Sequence, residues 1–292
     1  MQMEQMNIEQ IKVGIVGLGL MGGSMGLALK ALGQIQSRHI SRILGYDNNP
    51  IHAQQALNLG LVDECVELDE IWQCDVIFLS TPLESIVALI TSLTPDMIGQ
   101  KTTIIDVGGA KVEILLHIPS WLRHNFVGAH PMCGTEFFGP KAAFGELYKN
   151  GIVILADVEQ SGAYQVEIAK DIFIGIGMKI LKMSAKEHDK HIALISHMPH
   201  IMSYALANAT LSQEDPQTIL ALVGGGFRSM SRLSKSSPLM WKDVFKQNKA
   251  NVLKAMAHFQ EAFDVAREML ENEDWKGLEC FMARANTLQK FM

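Results

Sequence analysis

The run Lys12-Val13-Gly14-Ile15-Val16-Gly17-Leu18-Gly19-Leu20-Met21-Gly22 limits what this chain can fold into more than any other stretch. Ile11 to Val16 is short, apolar and β-branched, the pattern of a strand buried on both faces of a parallel sheet. It enters Gly-x-Gly-x-x-Gly directly, and the helical pattern Met25 to Leu32 follows Gly23-Ser24. That glycine spacing alone is a weak signal, but a strand before it and a helix after it supply the confirming context. Gly17 permits the tight turn, Gly19 leaves bare backbone for a pyrophosphate, and Gly22 lets helix and strand pack closely. Gly17, Leu18, Gly19, Leu20, Met21 and Gly22 are thus expected to cradle a dinucleotide, its phosphates on the free N–H groups of the helix N-terminus. The competing reading is a plain strand-to-helix turn.

A second strand, Arg42 to Tyr46, ends in Asp47, about 25 residues past Gly22. An acid roughly 20 residues on is expected to bond the adenosine ribose hydroxyl. A carboxylate there repels a 2′-phosphate, and no arginine closely follows, so the expected cofactor is NAD rather than NADP. A turn acid before Asn48-Asn49-Pro50 is the rival reading of Asp47. Strand and helix patterns then alternate: helix Ile51–Leu59, a short extended piece Leu61 to Glu64, strand Asp75–Ser80 stopped by Thr81-Pro82, helix Ser85–Leu93 and strand Thr103–Val107. Ligands in open α/β sheets bind beyond the carboxyl ends of strands, which adds Ser80, Thr81 and Pro82 to the expected cofactor contacts.

The strand Phe126 to Ala129 delivers His130 to that same end, within Gly128-Ala129-His130-Pro131-Met132-Cys133-Gly134-Thr135-Glu136. Pro131 fixes φ and biases the residue before it toward an extended conformation. His130 should sit at the strand mouth with its imidazole held in one direction, as a general base is mounted. Strand patterns recur at Ile152 to Ala156 and Lys179 to Met183, with a helix from Tyr164 to Phe173 between them.

Beyond Ser184 only helical patterns remain, which places a domain boundary near Met183: residues 1–183 form a doubly wound α/β domain of the Rossmann type and 184–292 an all-α domain. Ser184-Ala185-Lys186-Glu187 is a capping-box sequence. The helix it opens carries His188, His191, His197 and His200, and Pro199 should kink or break it at His197-Met198. At about 100° per residue no single face collects the four histidines, and neither carboxylate nor cysteine completes a tetrahedral set, so no metal is expected. Gly224-Gly225-Gly226 should form a flexible or closely approached turn before a short helix carrying Arg228 and Arg232 on one face. With Lys235, Lys242 and Lys246 these form a basic cluster in a chain of net charge −6, suited to a small anionic substrate. A solvated helix face or an interface patch is the alternative. Ser237-Pro238 reads as an N-cap and first turn of one long helix reaching Glu271. Its apolar stripe needs Trp275–Phe291 or a second subunit as partner.

The acidic balance argues against a nucleic-acid binder, and no apolar run is long enough to span a bilayer. The N-terminal MQMEQMNIEQ is polar and resembles neither a signal nor a transit peptide. Cys65, Cys74, Cys133 and Cys280 lack paired metal spacing and read as reduced thiols of a cytoplasmic protein.

Several blocks together resemble the prephenate/arogenate dehydrogenases of tyrosine biosynthesis: GLGLMGGS (17–24), DVGGAK (106–111), GAHPMCGTE (128–136), SHMPH (196–200), and GGGFRSMSR with SPLMW (224–232, 237–241). The resemblance implies NAD(P)-dependent oxidative decarboxylation of a cyclohexadienyl substrate, and a homodimer built through the helical domain. It also implies that His130 takes the proton of the ring hydroxyl, that His197 lines the substrate pocket, and that Arg232 holds a substrate carboxylate. Glu136 and Trp241 match residues near the site. Gly109 departs from the pattern: the family commonly has serine there, whose hydroxyl supports the catalytic histidine. Water, a backbone N–H, Ser80 or Thr81 are the candidate substitutes. The alternatives are another β-hydroxyacid-type dehydrogenase or imine reductase, and an NAD-binding regulatory subunit that has lost catalysis. The first needs a lysine or asparagine base in the second domain, and the HPMCGTE block speaks against it.

Overall fold

The computed structural model describes residues 9–291, so most of the polar leader lies outside the described residues. One nine-stranded sheet organises the first part of the chain. Its strands are β1 (Gln10–Val16), β2 (Gln34–Ile35), β3 (Arg38–Tyr46), β4 (Glu64–Cys65), β5 (Val76–Leu79), β6 (Thr103–Asp106), β7 (Phe126–Met132), β8 (Ile152–Ala156) and β9 (Lys179–Met183). The parallel strands lie in the order β4-β3-β1-β5-β6-β7. This is the doubly wound arrangement, with its topological switch between β1 and β5. Beyond β7, β8 pairs antiparallel, and β9 runs parallel to β8. Every residue of β5 and β6 is buried, which is why both read as continuous apolar runs rather than alternating ones.

Some boundaries differ from the sequence reading. β3 begins at Arg38 rather than Arg42, and Leu61 to Asp63 form no strand, the extended pair being Glu64–Cys65. β7 continues through His130 and Pro131 to Met132, so the histidine lies within the strand and not past its end. Pairing with β6 stops at Gly128, whereas β8 accompanies β7 to Met132. One side of the strand is therefore free at Pro131, where a residue without an N–H is tolerated.

The capping box at Ser184 forms: its Oγ accepts from the Glu187 N–H, and the Glu187 carboxylate accepts from the Ser184 N–H at 3.1 Å. Of the kink or break expected at Pro199, the break does not occur. The helix Ala185–Ile192 passes through a π-helical turn, Ala193–His197, into the helix Met198–Leu211. A wider turn before the proline accommodates the missing N–H and the ring, which a regular α-turn would not.

The single long helix expected from Ser237 to Glu271 is two helices, Pro238–Gln247 and Lys249–Glu271, divided at Asn248 with φ −113° and ψ 26°. Nor are the three glycines closely approached. Gly224 caps the helix Gly225–Ser231, and a Cβ added at any of the three would meet nothing within 4 Å.

Two carboxylates dock the helical part onto the sheet part. Asp243 accepts from the Glu84 N–H at 3.2 Å, at the start of the helix Leu83–Ser92. Asp189 accepts from the N–H groups of Lys111 (2.8 Å) and Val112 (2.9 Å), where the helix Val112–Leu116 begins. Each satisfies donors that a helix start leaves free. Trp241 and Val244 complete the seam by joining the core that contains Leu79, Ile86 and Ile114. No described helix is long and apolar enough to cross a membrane.

Candidate active site

Gly17 adopts φ +90°, and a Cβ there would lie 2.7 Å from the Ser80 carbonyl oxygen. At Gly22 a Cβ would meet the Gly17 carbonyl oxygen at 1.9 Å. Both positions thus require glycine, one for its backbone conformation and one for close packing. Gly19 is open, with nothing within 4 Å of an added Cβ, and it caps the helix Leu20–Leu32. That opening in front of a helix N-terminus fits a pyrophosphate. The Thr81 hydroxyl beside the turn is buried without a partner.

Asp47 has the geometry of a turn acid. One of its carboxylate oxygens accepts from the Leu18 N–H and the other from the Asn49 N–H, each at 2.9 Å. Asp47 therefore closes its own turn and ties the end of β3 to the glycine turn. Ser80 faces inward: its hydroxyl lies 2.9 Å from the Val16 and 2.8 Å from the Gly17 carbonyl oxygens. It braces the turn and has no hydroxyl hydrogen left for His130. Pro82 precedes the helix Leu83–Ser92 at the exposed end of β5.

His130 is held from behind. Its Nδ1 lies 2.8 Å from Nε2 of His188, whose Nδ1 lies 2.7 Å from Asp189. His188 is fully buried and crosses the His130 ring edge-on. The other His130 nitrogen, Nε2, faces Gly109, where an added Cβ would sit 3.8 Å away. The side-chain support that the structure shows is on the opposite nitrogen and comes from a histidine, while the Ser80 hydroxyl is already committed to the glycine turn. Beneath this, fully buried Lys111 pairs with Asp106 and donates to the Ala129 carbonyl at 2.7 Å, one residue before His130.

His197 and Trp241 form the adjoining wall. Their rings meet edge to face at 5.9 Å, and His200 stacks on Trp241 at 3.5 Å. Asn248 donates to the Asp189 carbonyl at 2.7 Å and lies 3.3 Å from Nδ1 of His197. This accounts for the helix break, because the broken turn carries a buried amide to two elements at once. Trp241 Nε1 is buried with no acceptor. Arg232 reaches back to Glu136 at 3.1 Å. Arg228 stays exposed, with the Val223 carbonyl 3.5 Å from its guanidinium, and is not drawn into this cluster. The four histidines do not converge: His188 turns to His130, His197 and His200 to Trp241, and His191 to solvent.

Burial holds the imidazoles neutral. It pushes His130 well below the usual histidine range, helped by His188, Lys111 and His197 nearby. His188 is lowered by burial against the pull of Asp189. Burial also takes His197 down to about 4. These groups bind protons more weakly in the fold than in the unfolded chain, so their contribution to stability is complete above pH 6.5. It is lost as pH falls from 6.5 toward 4, each imidazole adding a slope of up to about 1.4 kcal/mol per pH unit. The urea midpoint is expected to drop between pH 7.5 and pH 5. An equal midpoint at both would show that the three rings are not buried neutral.

Sequence reading did not single out His188, Asp189, Lys111 or Asn248 as site residues. The first two sit in the helix that opens at Ser184, and Lys111 lay inside the DVGGAK block, but nothing local marks any of them as a partner of His130.

Two family models match the chain: "Prephenate dehydrogenase, nucleotide-binding domain" over residues 27–182 and "Prephenate dehydrogenase, dimerization domain" over residues 184–284. Among curated proteins, the prephenate dehydrogenase of Bacillus subtilis is 31% identical over 90% of this chain and 71% of its own length. The cyclohexadienyl dehydrogenase of Zymomonas mobilis is 29% identical over 90% and 89%. Among solved structures, prephenate dehydrogenase from A. aeolicus in complex with hydroxyphenyl propionate and NAD+ superposes with a TM-score of 0.88 at 28% identity, covering 97% of this chain and 99% of that one.

Proposed function

Because this chain belongs to the prephenate dehydrogenase family, we propose that it oxidises and decarboxylates prephenate to 4-hydroxyphenylpyruvate, with arogenate, giving tyrosine, as the alternative substrate of the same pocket. The cofactor is NAD. The observation that carries the reading is the free Nε2 of His130, which sits at the carboxyl end of the sheet and opens toward Gly109. When bound at the glycine turn, NAD supplies the hydride acceptor.

The chain's own residues do the rest. His130 Nε2 takes the proton of the ring hydroxyl while hydride leaves the same carbon. As the ring carboxylate departs as CO2, its bonding pair enters the ring and makes it aromatic. His197, kept neutral, lines the wall beside Trp241, whose unpartnered Nε1–H is a free donor there. Gly17 to Gly22 would hold the pyrophosphate, Asp47 would accept from the ribose hydroxyls, and Thr81 and Pro82 would border the nicotinamide end.

Arg232 holds a substrate carboxylate, which must displace Glu136 from the guanidinium. A charge-assisted hydrogen bond contributes about 1.5–3 kcal/mol, so Arg232→Ala should raise KM roughly 10–100-fold with a much smaller loss of turnover. An unchanged KM would remove Arg232 from the substrate site. Glu136→Gln frees the arginine, and a carboxylate that contacts the arogenate amino group would then affect arogenate more than prephenate. The division at 183/184 separates the cofactor-binding and helical parts, and the latter carries apolar side chains such as Leu239, Phe263 and Trp275 on its surface, suited to a homodimer. Four free thiols suit the cytoplasm. The deciding experiment follows NADH formation with prephenate and with arogenate side by side. No NADH with either would favour the regulatory-subunit reading.

A further inference from the structure

We propose that Asp189 and His188 are positioning residues for the reaction, a relay in which Asp189 sets the tautomer of His188 and His188 sets that of His130. The proposal rests on His130 being the base, and it follows from tracing the protons outward from the one end that cannot vary. Asp189 accepts two backbone N–H groups, from Lys111 and Val112. Burial would raise its pKa, but the hydrogen bonds from His188 and those two N–H groups outweigh this and hold it below the usual carboxylate range. An ionised carboxylate only accepts. The proton between it and His188 therefore lies on Nδ1 of His188.

His188 is itself neutral, so its Nε2 holds a lone pair and can only accept. The 2.8 Å contact with His130 then requires His130 to donate from Nδ1. In a neutral imidazole the second nitrogen is the acceptor, and that nitrogen, Nε2, is the one facing Gly109. The direction matters because a free histidine side chain favours the opposite tautomer, Nε2–H, which has no lone pair where the substrate hydroxyl must sit. Once His130 takes up the hydroxyl proton, Asp189 behind the second ring opposes the new positive charge. One further bond fixes the anchor itself: the Asn248 side chain donates to the Asp189 carbonyl.

His188→Phe keeps the ring volume and removes both nitrogens. The expected result is a fall in kcat of roughly 10²-fold or more, taking a displaced triad aspartate as the guide, with KM for both substrates within about twofold. In ¹⁵N spectra of histidine-labelled protein, the His130 signals, assigned by difference from His130→Asn, should move from the Nδ1–H toward the Nε2–H pattern. His188→Gln restores an acceptor toward His130 and a donor toward Asp189, and should recover most of kcat and the Nδ1–H pattern. A His130 that stays Nδ1–H in a folded His188→Phe protein overturns the relay. A shifted tautomer with full turnover overturns instead the reading of His130 as the base. Gln failing where Phe fails, with the tautomer unmoved in both, marks His188 as packing alone and also overturns the relay.

Discussion

His130→Asn is expected to lower kcat by about 10²–10⁴-fold, the usual contribution of a positioned base, while KM for prephenate and for NAD changes only a few-fold. Asparagine is close in size to the imidazole, and its amide can still donate to Nε2 of His188, so the buried partner keeps a hydrogen bond. What is lost is a lone pair of suitable basicity at the position of Nε2. Arg232, the proposed carboxylate-binding group, is untouched, which is why the effect should fall on turnover. The depressed pKa of His130 keeps that lone pair free well below pH 6.5, so the acid limb of the wild-type kcat/KM profile should lie below the ordinary histidine value. Near wild-type turnover in His130→Asn would end the assignment.

The parts of this site that could be read from the sequence are those written in neighbouring residues. The glycine turn, the capping box at Ser184, and strands β8 and β9 are local signals, and the two strands coincide with their expected limits. Asp47 was legible as a turn acid because Asn48-Asn49-Pro50 follows it directly. The support of His130 was not, because His188 lies 58 residues away and Asn248 another 59 beyond Asp189. Only the packing of the helical part against the sheet makes them neighbours. Their residue types gave no warning: a histidine in an amphipathic helix and an asparagine inside what reads as one long helix both read as surface. The π-turn before Pro199 was likewise invisible, because the apolar period tells where a helix faces and not how tightly it is wound.

Lys111 poses the sharpest contrast between residue type and place, since lysine is almost never fully buried unless paired, and here none of it reaches solvent. Lys111→Met is expected to cost about 3–5 kcal/mol of stability, the usual penalty for removing one partner of a buried pair. It leaves Asp106 with no cation and a second carboxylate oxygen that already lacks any partner, and it removes the donor from the Ala129 carbonyl. Burial pushes the Asp106 carboxyl up, so without Lys111 it is protonated in the fold at pH values where the unfolded chain is ionised. The penalty is therefore absent below about pH 3.9 and grows as pH rises through the folded pKa, opposite in sense to the histidine effect in the wild type. Asp106→Asn/Lys111→Met removes both charges and keeps an acceptor for the Gly108 N–H, which Asp106 now binds at 3.0 Å. Thermal melts of this pair should recover most of the lost stability. Turnover should stay below wild type, because the carbonyl beside the base still lacks its donor. A single variant as stable as the parent at pH 7.5 would mean that the charges are not enclosed as described, and full turnover in the double variant would separate the clamp on β7 from the aim of His130.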